Sequence, residues 1–243
     1  VAIAARTHLP TRNLLLDKVK PAIRNLLYPE LVPTQLRLGA TLYEEHESQR
    51  LVYFPTSGVV SLVFMMENGQ SAEMAIVGSE GLVGFAALLG GDSTTTRAVV
   101  QVAGEAFCIR ANTLATLVDN HKALRQLTMC YIQSLLAQFA QTAICNRHHS
   151  IEQQWCRWIL MSMDRSGGEP IRMTQQLVAE MLGVRREGVS AVASSLKTEG
   201  VVEYSRGIIS LLDRKRLEMR VCECYSIILR ETERLLPGSN KRR

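Results

Sequence analysis

The sequence lacks a compact cysteine framework. Only six occur among 243 residues, at 108, 130, 145, 156, 222 and 224. They build no compact framework like those that staple small secreted domains, so a reducing cytoplasm is the expected setting. A long uninterrupted apolar run is also missing. The most apolar stretch, 75–90, is broken by Ser79, Glu80 and four glycines, so it cannot cross a bilayer as a helix. The start, Val1-Ala2-Ile3-Ala4-Ala5-Arg6, carries an apolar run shorter than a secretory leader needs, and no membrane partner is expected. Chemistry of the enzymatic kind finds no support. Gly78-Ser79-Glu80-Gly81 lacks the spacing of a nucleophile elbow, and Gly81-Leu82-Val83-Gly84 is too short for a dinucleotide fingerprint. No paired carboxylates, triad spacing or phosphate loop appear. No catalytic residue is assigned, and the chain is not expected to be an enzyme.

What is present is unevenly charged. Apolar residues make up 47% and charged residues 21%, the balance of a soluble globular protein. Lys and Arg total 28 against 23 Asp and Glu, a net charge of +5. Residues 1–146 hold 11 of each sign, so the whole excess lies in 147–243, with 17 basic and 12 acidic side chains. Such asymmetry points to an anionic partner for the second part.

The texture divides the chain further. Residues 1–30 read as a polar start and short helical pieces punctuated by Pro10, Pro21 and Pro29. From Gln35 to about Arg110, short runs such as Leu51–Phe54, Val59–Phe64, Ala98–Val102 and Ala106–Ile109 alternate with turn signals. This predicts an all-β barrel or roll. Asn68-Gly69 is its strongest hairpin signal, since both residues tolerate positive φ. From Glu105 to Ser166 no proline or glycine occurs, which predicts one long helix followed by another. Within 121–146 the apolar residues spread over three seams, so the helix must be covered on more than one side. The seam Leu124, Tyr131, Leu135 and Gln138 is assigned to a two-fold contact with a second subunit. The expected domains are a sensor roll over 1–120, a dimerisation helix over 121–146 and a C-terminal domain over 147–243.

The stretch from Met173 to Val192 reads as helix, tight turn, helix. Thr174 is a good N-cap, Leu177, Val178, Met181 and Leu182 form an apolar face, and Ala179 is small where a second helix must cross. Gly183 suits the turn, and Val189, Val192 and Leu196 form the second helix's inner face. Arg185, Arg186, Glu187 and Ser190 then lie near the start of that helix, where side chains reach base edges. Thr174, Gln175 and Gln176 suit a phosphate at the preceding helix N-terminus. Val201–Tyr204 and Ile208–Leu212 flank Ser205-Arg206-Gly207, a hairpin with Arg206 at its tip, placed to meet the phosphate backbone. Asp213 is read as the cap of a last helix.

With these residues in view, the chain resembles the Crp/Fnr family of transcription regulators over nearly its whole length. The likeness runs through Tyr53–Leu62, Val77–Gly81, Ser150–Gln153, the helix-turn-helix, Tyr204–Ile209 and Asp213-Arg214. The resemblance implies an α+β chain: an N-terminal antiparallel β-roll (jelly-roll-like) of cyclic-nucleotide-binding type, a long dimerisation helix and a C-terminal winged helix-turn-helix. It also implies a homodimer on a pseudo-palindromic DNA operator, with RNA polymerase as partner and a small-molecule effector at the roll. Arg186, Glu187 and Ser190 match the family's recognition helix, but Ala191 stands where many members place a guanine-reading Arg. Gly84-Phe85 stands where cyclic-AMP binders carry Gly-Glu, and Thr96-Arg97 matches their phosphate-binding Arg-Ser region only with a shift. Gly84, Phe85, Thr96 and Arg97 are the candidate effector pocket, and cyclic AMP is not the expected occupant. The first cysteine is 108, so the N-terminal cluster of iron–sulfur members is absent. Cofactors are otherwise expected to be none, with haem left open. His46, His121, His148 and His149 read as surface or structural. Cys222-Glu223-Cys224 has the form of half a metal site, but no second half stands nearby in sequence, so no metal is expected.

Overall fold

The computed structural model describes residues 12–239. The polar start expected before them and the last four residues lie outside the described residues. Helices α1 (Leu14–Lys18) and α2 (Pro21–Leu27) open the described chain. Buried Asn13 caps α1: its side-chain oxygen accepts from the Leu15 and Leu16 amides, and its Nδ2 donates to the Pro55 and Gly81 carbonyls at 2.8 Å each.

Seven strands follow: β1 (Val32–Leu36), β2 (Thr41–Tyr43), β3 (Leu51–Pro55), β4 (Val59–Met65), β5 (Ser71–Val77), β6 (Thr96–Val102) and β7 (Gly104–Arg110). They form antiparallel sheets of order β1-β7-β3 and β2-β6-β4-β5. The first strand starts earlier than Gln35 and contains Pro33. An edge position makes this workable, because Pro has no amide hydrogen to give a second neighbour. The expected hairpin forms, but only Gly69 takes a positive φ, +81°. Its amide bonds to Met66 O at 2.8 Å and the Met66 amide to Gln70 O at 2.8 Å, so the loop is three residues, 67–69, with Asn68 outside the left-handed region.

Strand β4 is buried on both faces, and its period-2 alternation divides it between two cores. Val60 and Leu62 point into the roll with Ala75, Val77, Ala98 and Val100. Val59 and Val63, with Ile76, point outward into a second core. That second core also contains Trp155, Trp158, Ile159 and Leu160 of α5 (Ile151–Ser166) and the interior of the C-terminal domain. Roll and C-terminal domain therefore share one packed interior. A polar bridge crosses it: the Ser61 hydroxyl lies 2.6 Å from Glu73 Oε2 and 2.9 Å from Gln101 Oε1, and Gln101 Nε2 donates to Ser162 on α5 at 3.0 Å. Burial raises the Glu73 carboxyl to about 7, against the opposing effects of Ser61 and of Arg157 and Arg165.

Between roll and C-terminal domain run α3 (Ala111–Asn120) and α4 (Lys122–His148), separated by an extended His121. The expected long helix is α4. The expected dimer seam needs correction. Leu124, Tyr131, Leu135 and Gln138 are all buried within this chain. The Tyr131 hydroxyl donates to Leu82 O at 2.7 Å, and the Gln138 amide pairs with the Ile76 backbone at 3.1 and 3.2 Å. A Cβ on Gly81 would collide with the Tyr131 ring. These four residues bind α4 to its own roll and are not open to a second chain. The exposed stripe of α4 is a different one, Gln133, Leu136, Ala140, Ala143 and Arg147, at spacings of three and four.

The C-terminal domain contains β8 (Ile171–Arg172), α6 (Gln175–Leu182), α7 (Arg186–Thr198), β9 (Val202–Ser205), β10 (Ile208–Leu211), α8 (Arg214–Glu218) and α9 (Glu223–Leu235). Its sheet has the order β8-β10-β9. Ser150 and Gln153 form a reciprocal capping box that starts α5. Asp213 does cap a helix, accepting from the Arg216 amide at 3.0 Å, but that helix is the short α8, and α9 follows it. Arg214 pairs with buried Asp164 of α5 at 2.7 Å, and Tyr225 of α9 donates to the same carboxylate at 2.7 Å. Among the described residues no helix is long and apolar enough to cross a membrane.

Candidate nucleic-acid interface

The helix-turn-helix is set by local chemistry. Thr174 accepts from the Leu177 amide at 3.2 Å and starts α6. Gly183, at φ +65°, ends it. Its amide reaches Glu180 O at 3.3 Å, and the Val184 amide reaches Ala179 O at 3.0 Å, the paired bonds of a Schellman turn. Val178, Ala179, Val189, Ala193 and Leu196 are buried between the helices. Gly188 brings α7 close to α5, since a Cβ there would stand 2.6 Å from the Ile151 Cδ1.

This packing leaves one charged edge. Arg185 is the N-cap residue of α7, with Arg186 and Glu187 in its first turn, and all three are exposed. Ser190 is different: half-buried, it donates to Gln175 Oε1 at 2.6 Å. That bond clamps α7 to α6, so Ser190 and Gln175 position the helix pair. Gln176 is exposed and donates to Glu180 at 2.9 Å.

The wing completes the edge. Arg206 and Gly207 have φ +51° and +75°, as a two-residue type I′ turn requires, and Ser205 pairs with Ile208. The Met173 amide donates to Gly207 O, and the Tyr204 hydroxyl donates to Met173 O, each at 2.8 Å. Burial raises the Tyr204 phenol to about 12, so it keeps the donated proton. These bonds hold the wing tip beside the start of α6, and exposed Arg206 joins Thr174 and Gln176 on one surface. Exposed Arg172 on β8, opposite Ile208, extends it. The sequence does not single out Arg172, because it stands outside the helix-turn-helix and hairpin patterns and only its pairing with Ile208 brings it to the wing.

Charge pairing sorts the basic residues. Arg165, Lys197, Arg214, Arg216, Arg220 and Arg234 are held in ion pairs within the chain. Arg172, Arg185, Arg186 and Arg206 are in no such pair among the described residues and all four lie on the helix-turn-helix and wing, while Arg147, Arg157, Lys215 and Arg230, also in no such pair, lie singly on α4, α5, α8 and α9. Fixed, unpaired cations on a basic edge are what a phosphate backbone attracts, and a guanidinium can pair with both acceptors of guanine.

The expected effector residues are not gathered in the same way. Gly84, at φ +101°, precedes a 3-10 turn over 85–88. A Cβ there would come within 2.8 Å of Leu51 O. Phe85 packs against Phe139 of α4, ring centroids 6.5 Å apart. Thr96 is buried and bonded to Thr94 at 3.0 Å, while Arg97 lies in mid-ladder opposite Val63 with its Nε buried and unbonded. A cavity of about 350 Å³ at the β2–β3 end is lined by other residues, including Tyr43, Glu47, Gln49, Arg50 and Tyr53. A larger cleft, about 970 Å³, separates the β4–β5 hairpin from α6 and its turn, with Phe64, Met66 and Gln70 facing Gln176, Glu180 and Arg185.

Two family descriptions match the chain: the cyclic nucleotide-binding domain over residues 33–121 and the Crp-like helix-turn-helix domain over 153–220. The chain belongs to the Crp/Fnr family of transcription regulators, a family of regulators and not of enzymes. Its fold recurs in a putative transcriptional regulator of that family from Eubacterium rectale, at 16% identity and TM-score 0.68, covering 84% of this chain and 96% of that one. It recurs in FixK2 from Bradyrhizobium japonicum, at 18% identity and TM-score 0.65, covering 79% and 98%. The c-di-GMP-responsive global regulator CLP of Xanthomonas campestris matches at 16% identity and TM-score 0.62, covering 79% and 99%. No curated protein sequence matches the chain.

Proposed function

We propose that the chain acts as a cytoplasmic homodimer that binds a two-fold DNA operator sequence-specifically. The observation that carries this reading is the unpaired charged edge of Arg185, Arg186 and Glu187 beside the wing tip Arg206. Arg185 and Arg186 read guanine, and Glu187 accepts from cytosine N4. Arg206, Thr174, Gln176 and Arg172 meet phosphates. RNA polymerase is the further partner that the family implies.

The second copy docks on the exposed stripe of α4. Leu136 offers apolar surface, and Ala140 and Ala143 let two helices approach closely. Leu136→Asp yields monomers in sedimentation if this face forms the dimer; a stable dimer from that variant overturns it. Footprinting of selected operator fragments tests the whole reading. It shows two half-sites about 34–36 Å apart. Arg186→Ala lowers operator affinity by about 10- to 100-fold and leaves non-specific binding nearly unchanged. An equal fall in both rejects base readout by α7.

The signal is a ligand other than cyclic AMP, acting through α4 on the spacing of the two reading heads. The family resemblance aligns Phe85 with the ribose-binding Glu of cyclic-AMP binders, and its ring is packed on Phe139. The same packing favours a second reading, a constitutive regulator whose roll only supports dimerisation. Titrating cyclic AMP, cyclic GMP and cyclic di-GMP against operator affinity separates them: a shift with either of the last two supports a sensor, and no shift with any supports the constitutive form.

A further inference from the structure

The fold supplies the second half that Cys222-Glu223-Cys224 lacks in sequence. Cys145 lies in the last turn of α4, and His149 is the first of the two residues between α4 and α5. Cys222 is the N-cap residue of α9, with no capping bond from its side chain, and Cys224 lies in the first turn. One ligand atom from each of these four residues lies within 4.8 Å of the other three. The Sγ atoms of Cys145 and Cys222 are 3.5 Å apart, and Cys224 Sγ is 3.6 Å from His149 Nδ1. All three cysteines are buried, and the His149 side chain is 14% exposed.

We propose that Cys145, His149, Cys222 and Cys224 form a closed, structural Zn²⁺ site that fastens the α4–α5 junction to α9. Zinc bonds of about 2.3 Å to sulfur and about 2.0–2.1 Å to nitrogen give tetrahedral edges of about 3.8 Å between sulfurs and about 3.6 Å between sulfur and nitrogen. The two short spacings above match those edges, and the wider ones close by about an ångström at most. Three thiolates and one imidazole fill all four positions, so water has no place and the role is structural. The arrangement also supports its ligands from outside. If Nδ1 binds the metal, Nε2 carries the hydrogen, and Glu223 Oε2 stands 3.3 Å from it to accept. The thiolates of Cys222 and Cys224 lie at the positive end of the 13-residue α9. Three thiolates on Zn²⁺ leave one net negative charge. Buried Arg157, whose Nε has no hydrogen bond and which is in no salt bridge among the described residues, acts electrostatically on Cys145 and Cys224 and offsets it.

The site would hold the hinge of the reading head. The chain turns from α4 to α5 at His149-Ser150, so a metal shared with α9 fixes the angle at which the C-terminal domain leaves the long helix. The test uses the full chain, purified under reducing conditions and loaded with Zn²⁺ or Co²⁺. We expect one zinc per chain by elemental analysis. With Co²⁺ we expect intense tetrahedral d–d bands and sulfur-to-cobalt charge transfer. Cys145→Ser and Cys224→Ser each lower zinc affinity by at least about tenfold, whereas Cys108→Ser and Cys130→Ser retain it. The cobalt spectrum of the unaltered chain decides the matter even if a variant fails to fold. Absence of bound metal, an octahedral cobalt spectrum, or a Cys145–Cys222 disulfide that persists in protein isolated under those reducing conditions overturns the proposal.

Discussion

All the proposed DNA-contacting groups come from the single run 172–207, whereas the end of the roll where an effector pocket was expected draws on 42–53, 84–97 and a face of α4. In the first, the turns are set by neighbours a few residues away, Thr174 on Leu177, Gly183 on Glu180 and Arg206 on its own turn, and the longer bonds, Ser190 to Gln175 and Gly207 and Tyr204 to Met173, stay within the same run. In the second, position depends on distant partners, such as Phe85 on Phe139 and Gln49, whose Oε1 accepts from the Ala86 amide at 3.1 Å. The first region is therefore specified within one short segment, whereas the second is specified only when distant segments come together.

The two regions nevertheless meet in one core, and breaking that core gives the largest expected effect. Trp158 is 2% exposed in the interior that α5 shares with Val59, Val63 and Ile76 of the roll. Trp158→Ala should cost about 3–5 kcal/mol. In denaturant titration, probes placed in the roll and in the reading head should shift together. Separate transitions, with only the reading head destabilised, would show the two regions to be independent.

The polar bridge at the same interface should make stability depend on pH. Folded Glu73 holds its proton up to about pH 7, against an ordinary value of 4.5. Between those values the folded state binds more protons than the unfolded one, so stability falls as pH rises through this window and levels off above it. The full difference is about 3 kcal/mol. The protonated carboxyl can donate to Ser61, which then donates to Gln101, so the chain of bonds is complete in that form. Glu73→Gln should remove most of the slope and be more stable than the parent at pH 8. An unchanged slope would place the titrating group elsewhere.

This contrast also explains what could be read from the residues alone. The helix-turn-helix, its wing and the Asn68-Gly69 hairpin were legible because each rests on nearby spacing and on residues that tolerate positive φ. The shared core was not, since the alternation of Val59 to Val63 shows two apolar faces without saying what covers them. The same holds for α4. Its three apolar seams announced several partners, yet only the Tyr131 and Gln138 bonds to the roll show which seam stays within the chain. Cys145 and His149 stand far in sequence from Cys222 and Cys224, and no local pattern joins them.

A smaller effect sharpens the role of α4. Tyr131→Phe keeps the ring over Gly81 and removes only the bond to Leu82 O. The expected loss is about 1 kcal/mol, read as a lower midpoint in urea. No loss would mean that ring packing alone fixes the helix to the roll.

The smallest effect separates positioning from reading within the head itself. Arg206 stands at the wing tip, and neither its side chain nor the turn supports the core. Arg206→Ala should leave thermal stability unchanged, because Gly207 still makes the bond to Met173. Operator and non-operator DNA should lose affinity by the same factor. The slope of log K against log salt should fall by about 1 per chain, as one phosphate contact is lost. Arg186→Ala has the opposite signature, a loss confined to the operator. If Arg206→Ala instead relaxed sequence preference, the wing would be reaching base edges, and the division between positioning wing and reading helix would have to be withdrawn.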